Sequence, residues 1–266
     1  MTPQPVPSRA ELLAALQLQY EWGVDEVLSE ETIDRLSEAA RVLPVRGQFA
    51  VRPQETVMPG RSSGASALEG AQNLPALIAA TETLDDLFLA RTATHRLKPV
   101  HVPQAPFMLI GETPDADEDR SGILFAGRAG GLLDKMLASA GLDRASLSMA
   151  PAIPWRPPGG RGATDQEMRS CRPLLLKTIA LCRPPLLVTM GVTPLRILLG
   201  DQVMLNRLRG KWTEVTIPGL PSPVPLLSMR HPLQLAASPA ARRNAWQDLL
   251  VLMEKLDGQN RAQDQS

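Results

Sequence analysis

The sequence predicts an α/β fold, a short parallel sheet held between helices, and three observations carry that expectation. Four short apolar runs, "FMLIGE" (107–112), "LSMAPAI" (147–153), "PLLVTMG" (185–191) and "VPLLSMRH" (224–231), read as strands buried on both faces. Helical stretches lie between and after them. Those stretches end in Gly or Pro, so strand and helix alternate as a covered parallel sheet requires.

Taken in order, "ELLAALQLQYEWGVDEVL" and "EETIDRLSEAARV" read as amphipathic helices, making 1–42 a helical extension. Residues 43–76 are rich in Pro, Gly and Ser with little periodicity, the composition of a flexible linker. "LPALIAATETLDDLFLA" is a helix leading into the main domain, 77–258. After the first strand, "GGLLDKMLASAG" closes on Gly141. "TDQEMRSCRPLLLKTIALC" opens with Thr164 and Glu167 at capping-box spacing and stops at Pro184–Pro185. "TPLRILLG" offers Thr193 as cap, Pro194 at the first helical position and Gly200 as stop. "SPAARRNAWQDLLVLMEKLDG" closes the domain, and 259–266 reads as a disordered tail.

Composition narrows the class. With 44% hydrophobic and 21% charged residues over 266, the chain suits one sizeable domain plus an extension. Aromatics are only 3%, so the core must rest on aliphatic side chains. The two cysteines, Cys171 and Cys182, argue for a reduced, cytoplasmic protein rather than a disulfide framework. No signal segment or bilayer-spanning run is visible. The net charge is zero, but residues 1–100 hold 9 basic and 13 acidic groups, whereas 151–266 hold 15 and 8. Most of those 15 are Arg, which grips phosphate through paired hydrogen bonds; solvated helix faces would look the same.

In a parallel sheet the site lies beyond the carboxyl ends of the strands. Here those ends deliver Glu112, "PAIPWRPPGGR", Gly191 and His231. Glu112 opens a run of five carboxylates in eight positions, with Asp115, Asp117, Glu118 and Asp119. A calcium loop would need Gly and Glu where Arg120 and Ala126 stand. No phosphate-loop or dinucleotide fingerprint occurs. The small residues of "FAGRAGGLLDKML" suit either a backbone-bound phosphate or a tight turn.

"MLIGETPDADEDRSGILFAGRAGGLLDKMLASAGL" resembles the first motif region of the bacterial family-four uracil-DNA glycosylases. "PWRPPGGRGATDQEMRSC" resembles the second, and "RLRGKW", "MRHPLQL" and "ARRNAWQDLL" are similar to the C-terminal part. "YEWGVDEVL" and "ARTAT" look like the cluster-lacking branch of alpha-proteobacteria. The resemblance covers most of the chain in order. It implies a three-layer fold with a short parallel sheet, and hydrolysis of the N-glycosidic bond of uracil flipped out of DNA, in base-excision repair. It further implies Glu112 and His231 as catalytic residues, with Phe125, Gly111 and Pro151 around the base. Gly130, Arg156, Arg161 and Arg230 would face DNA, with Leu233 and Leu235 in the loop that wedges into the vacated stack. Asp115, Asp117, Glu118 and Asp119 are expected as a solvated loop. A monomer acting on DNA, with no membrane association, completes the expectation.

The sequence departs from the family at four places. Asp115 stands for a Gly, Gly160 for an Asn, and Leu233 for a Ser. Pro151 replaces the asparagine whose amide both donates to and accepts from uracil. The family's iron–sulphur cluster needs four thiolates, but only Cys171 matches a ligand position and Trp155 replaces another, so no metal or other cofactor is expected. An alternative is a non-catalytic DNA-binding relative that has lost uracil recognition. A small-molecule hydrolase is disfavoured by the lack of a Gly-x-Ser-x-Gly elbow.

Overall fold

The computed structural model describes residues 68–82 and 88–263. The helical extension expected at 1–42 and most of the linker expected at 43–76 lie outside the described residues. The linker does not reach 76. Leu68 and Ala71 are buried in the core, and helix α1 (Leu74–Glu82) has begun. Its apolar side chains find a partner surface, which outweighs the loop-like composition around them.

The helix expected over 74–90 is present as α1 and α2 (Phe88–Thr92), with 83–87 outside the described residues. Strand β1 (Met108–Gly111) is followed by the short helix α3 (Ala116–Ser121) and by α4 (Gly127–Ser139). Then come β2 (Ser148–Pro151), α5 (Asp165–Cys182), β3 (Leu187–Met190) and α6 (Val192–Leu199). The chain ends with α7 (Leu205–Leu208), β4 (Trp212–Val215), β5 (Val224–Met229) and α8 (Pro239–Gln263).

The five strands are ordered β2-β1-β3-β5-β4. All four expected strands form and pair in parallel, Ile110 lying beside Ala150 and Thr189, and Val188 beside Leu227. The fifth, β4, is an antiparallel edge strand that pairs Trp212 with Leu227. "WTEV" is short and half polar, so it lacks the apolar run that marked the others. Strand β1 has neighbours on both sides, and the chain reverses its winding between β1 and β3. In parallel sheets such a reversal is the place where a ligand crevice is expected, at the carboxyl ends of the central strands.

Side chains alternate across the sheet and build one core on each face. Met108, Ile110, Leu187 and Leu226 pack with Leu175 and Ile179 of α5 and Leu195 of α6. Phe107, Leu109, Val188 and Leu227 pack with Leu133 and Leu137 of α4 and Leu249 and Leu252 of α8. The result is three layers, as expected.

Helix ends follow the sequence closely. Thr164 and Glu167 form the capping box of α5, and Arg183 ends it in the left-handed conformation. Helix α6 stops at Gly200 but is preceded by Gly191, so Thr193 lies inside its first turn rather than capping it. Helix α8 continues through Gly258 to Gln263, so 259–263 is not a tail; a lone Gly costs a helix only about 1 kcal/mol. Arg209, held by Asp248 at 2.7 Å and by the Asn244 carbonyl at 3.2 Å, fastens the turn before β4 to α8.

Trp155 is 3% exposed in the first core, packed with Met168, Cys171 and Leu89. Replacing it by Ala is expected to remove about 3–5 kcal/mol of stability by leaving a cavity, read as a lowered midpoint in urea unfolding with an unchanged slope.

Candidate active site

Glu112 follows β1 directly, and its carboxylate turns onto the start of α6. The Val192 and Thr193 backbone N–H groups donate to Oε1, the latter at 3.2 Å, and the Thr193 hydroxyl donates to Oε2. An anion at a helix N-terminus is favoured by the unpaired N–H groups and the helix dipole. Gly191 makes the approach possible. Its φ is +106°, and a Cβ there would overlap the Glu112 carboxyl group. Thr193 is expected to cap its own helix; in the structure its N–H and hydroxyl donate to the acid that follows β1.

His231 follows β5 and precedes a 3-10 turn (Pro232–Ala237), where the Gln234 N–H donates to its carbonyl at 2.9 Å. Its ring stacks on Phe125, with centroids 6.2 Å apart and planes 19° from parallel. Burial lowers the His231 pKa below its usual 6.5, against the opposing fields of Glu112 and Asp115. The imidazole is therefore neutral at pH 7. The Glu112 and Asp115 carboxylates, which follow β1, are near enough for their charge to act on this ring after β5.

Phe125 is buried, and its ring lies over Gly111, where a Cβ would come within 3.1 Å of Cζ. Gly111, Glu112, Phe125 and His231 thus form one group at the sheet's carboxyl edge.

The acidic run is not a solvated loop. Asp115 and Glu118 form a reciprocal capping box on α3, and Asp115 is extended (φ −81°), so its replacement of Gly strains nothing. Glu118 is 6% exposed and accepts the Phe125 N–H at 2.6 Å. Burial raises its pKa, while the N–H groups of Asp115 and Phe125 pull the other way. Asp119, also buried, accepts from the Thr94 and His95 N–H groups at 2.9 and 3.2 Å. Asp117 pairs with Arg120. Each of these acids fixes backbone or an ion pair.

The remaining expected residues divide. Pro151 is buried at the end of β2, an edge strand, the position where a sheet tolerates Pro. Gly130 does not face outward: its N–H stays within α4, and a Cβ would overlap the Phe125 carbonyl. Arg161 is held by Glu167 in a two-point ion pair at 2.7 and 2.8 Å, which lowers the Glu167 pKa to about 2. Arg156 keeps its Nε buried without a hydrogen bond among the described residues, and Arg230 donates to Asn206 at 2.7 Å. Leu233 is 36% exposed, whereas Leu235 is 7% exposed, so of the two only Leu233 presents an open side chain.

An iron–sulphur cluster does not fit these residues. The chain has two cysteines, and burial pushes the Cys171 thiol up to about 12 and Cys182 up to about 11, away from the thiolate a metal requires. Among the described residues no three His, Cys, Asp or Glu side chains are grouped to hold a metal ion.

A family model described as the uracil DNA glycosylase superfamily matches residues 99–250, more than half of the chain. The chain belongs to that superfamily. Within it the chain is family-four-like. It is 29% identical over 187 residues to the type-4 uracil-DNA glycosylase of Archaeoglobus fulgidus, covering 65% of this chain and 93% of that one. It is 30% identical over 148 residues to the type-4 enzyme of Pyrobaculum aerophilum, covering 54% and 74%. It is 34% identical over 104 residues to that of Thermotoga maritima, covering 39% and 54%. The superfamily match begins before β1 and ends within α8, so it contains every residue of the group at the sheet edge. Among the described residues no helix is long and apolar enough to cross a membrane.

The lowered His231 pKa has a measurable sign. The unfolded chain takes up this proton near pH 6.5, while the folded chain resists. The stability contributed is present above about pH 6.5 and lost as pH falls through the folded value. A proton NMR titration is expected to give His231 a midpoint below 6.5.

Proposed function

We propose that this protein is a uracil-DNA glycosylase that hydrolyses the N-glycosidic bond of a uracil extruded from DNA, the opening step of base-excision repair. The observation that carries the reading is a donor-fixed carboxylate, Glu112, whose charge acts on a neutral, buried imidazole, His231, at the carboxyl end of the sheet. The type-4 names of the relatives point the same way.

In such a reaction the bond between N1 of uracil and C1′ of the sugar breaks. Its electrons leave with uracil as an anion, and C1′ passes through an oxocarbenium-like state that water captures. The water oxygen bonds to C1′, and its proton ultimately returns to uracil. His231, neutral at pH 7, donates a hydrogen bond to the uracil oxygen where negative charge develops. Glu112 faces the cationic sugar. Three donors engage its carboxylate, two of them on Oε1. This arrangement suits stabilising positive charge and orienting water more than removing a proton. Phe125 supplies the ring against which the base lies. The exposed Leu233 fills the vacated stack.

Pro151 favours a second reading, a DNA-binding relative without catalysis, because a buried proline offers uracil no side-chain hydrogen bond. On the first reading uracil is still excised, with discrimination against other bases weakened by roughly two orders of magnitude. The protein works in the cytoplasm as a monomer; two free, buried cysteines fit a reducing compartment.

Single-stranded uracil-containing oligonucleotide is the deciding substrate. Wild type is expected to release uracil, with Glu112→Ala and His231→Ala each slower in kcat by about 10²–10³. Thr193→Val, which removes one donor from Glu112, should lose about tenfold. Salt-dependent binding with no product from wild type would establish the second reading instead.

A further inference from the structure

We propose that Glu118 and Arg144 are positioning residues that clamp Phe125 at its two backbone ends and so hold its ring against His231. Phe125 has a φ of +52°, a conformation bulky side chains avoid. Such a residue persists only where its surroundings over-determine it. Here they do. Its N–H donates to Glu118 Oε1 at 2.6 Å, and its carbonyl accepts from Arg144 Nη1 at 2.7 Å. Gly130 presses on the same carbonyl, leaving no room for a side chain.

Both jaws are themselves fixed. The second oxygen of Glu118 accepts the Asp115 N–H at 3.0 Å, closing the capping box of α3. Arg144 is held in a fork by Asp134, at 3.0 Å through Nε and 3.1 Å through Nη2. A planar guanidinium held at two points has little freedom left, so its third contact is set in direction. The ring then lies where the clamp sends it, over Gly111 and stacked on His231.

A core phenylalanine with no other duty could fill the same volume at an ordinary negative φ. The structure instead buries a carboxylate whose charge burial disfavours, and commits an arginine, to keep this one residue strained. The clamp's link to catalysis rests on the glycosylase reading above; its geometry does not.

The test uses the full chain with two separate readouts. The proton NMR resonances of His231, assigned with His231→Gln, report the stacked ring without any substrate. Phe125→Leu supplies the unstacked reference. Arg144→Met, which keeps the aliphatic stem, and Glu118→Gln, which keeps one of two acceptors, are expected to move these resonances toward that reference. On uracil oligonucleotide both should lower kcat by about tenfold, because the imidazole that the ring backs acts in the transition state. Asp134→Ala, at a side chain 48% exposed, should fold normally and shift both readouts part of the way. His231 resonances at wild-type positions in these variants, with only the unfolding midpoint lowered, would overturn the clamp. A wild type that releases no uracil would remove the glycosylase reading, while the NMR readout would still decide the clamp.

Discussion

A carboxylate placed just beyond a fully buried strand has to be met by donors, and in this fold the donors come from the neighbouring crossover. Glu112 leaves β1 and is received by the first turn of α6, which leaves β3. The contact bridges the point where the sheet's winding reverses. It requires Gly191, because any side chain there would occupy the carboxylate's place. It also explains why α6 starts two residues earlier than its sequence signals indicate, at Val192 rather than Pro194. An anion supplied from outside the helix replaces the side-chain cap that Thr193 was expected to provide.

The same principle organises the acidic run. Five carboxylates in eight residues would repel one another in a solvated loop, but four of them have dedicated donors. Asp115 caps α3, Glu118 holds Phe125, Asp119 holds the segment at Thr94 and His95, and Glu112 holds α6. Asp117 reaches Arg120 instead. The negative charge after β1 is mostly engaged in hydrogen bonds, which separates acid that builds local structure from acid that faces solvent.

The signals that were legible in the sequence were local. Apolar runs fixed β1, β2, β3 and β5, and the Thr164–Glu167 spacing fixed the start of α5, because these depend on neighbours in the chain. Glu112 and His231 were legible as residues at strand ends, since a parallel sheet sends its ends to one side. What was not legible depends on distant partners. Arg144 in "LDRASL" carries no mark of its contact with Phe125, nineteen positions away. Strand β4 has too few apolar residues to stand out, and is recruited by the open edge of β5. Leu233 and Leu235 look alike in "HPLQL", yet the 3-10 turn exposes one and buries the other.

Four-thiolate ligation and a base-reading amide, both implied by the family resemblance, make different physical demands on the residues present. A structural cluster does its work by tying segments together, and apolar packing can take over that task. Trp155, Cys171, Met168 and Leu89 share one buried apolar cluster. An amide that reads a base cannot be replaced by packing, because discrimination requires a donor and an acceptor aimed at particular atoms. Pro151 is compatible with the end of an edge strand but has neither group to offer. On the proposed glycosylase reading, rigid placement of Phe125 and His231 would still favour any flat base of the right size. Stacking and one hydrogen bond would then carry more of the recognition, which makes the strained backbone of Phe125 worth keeping.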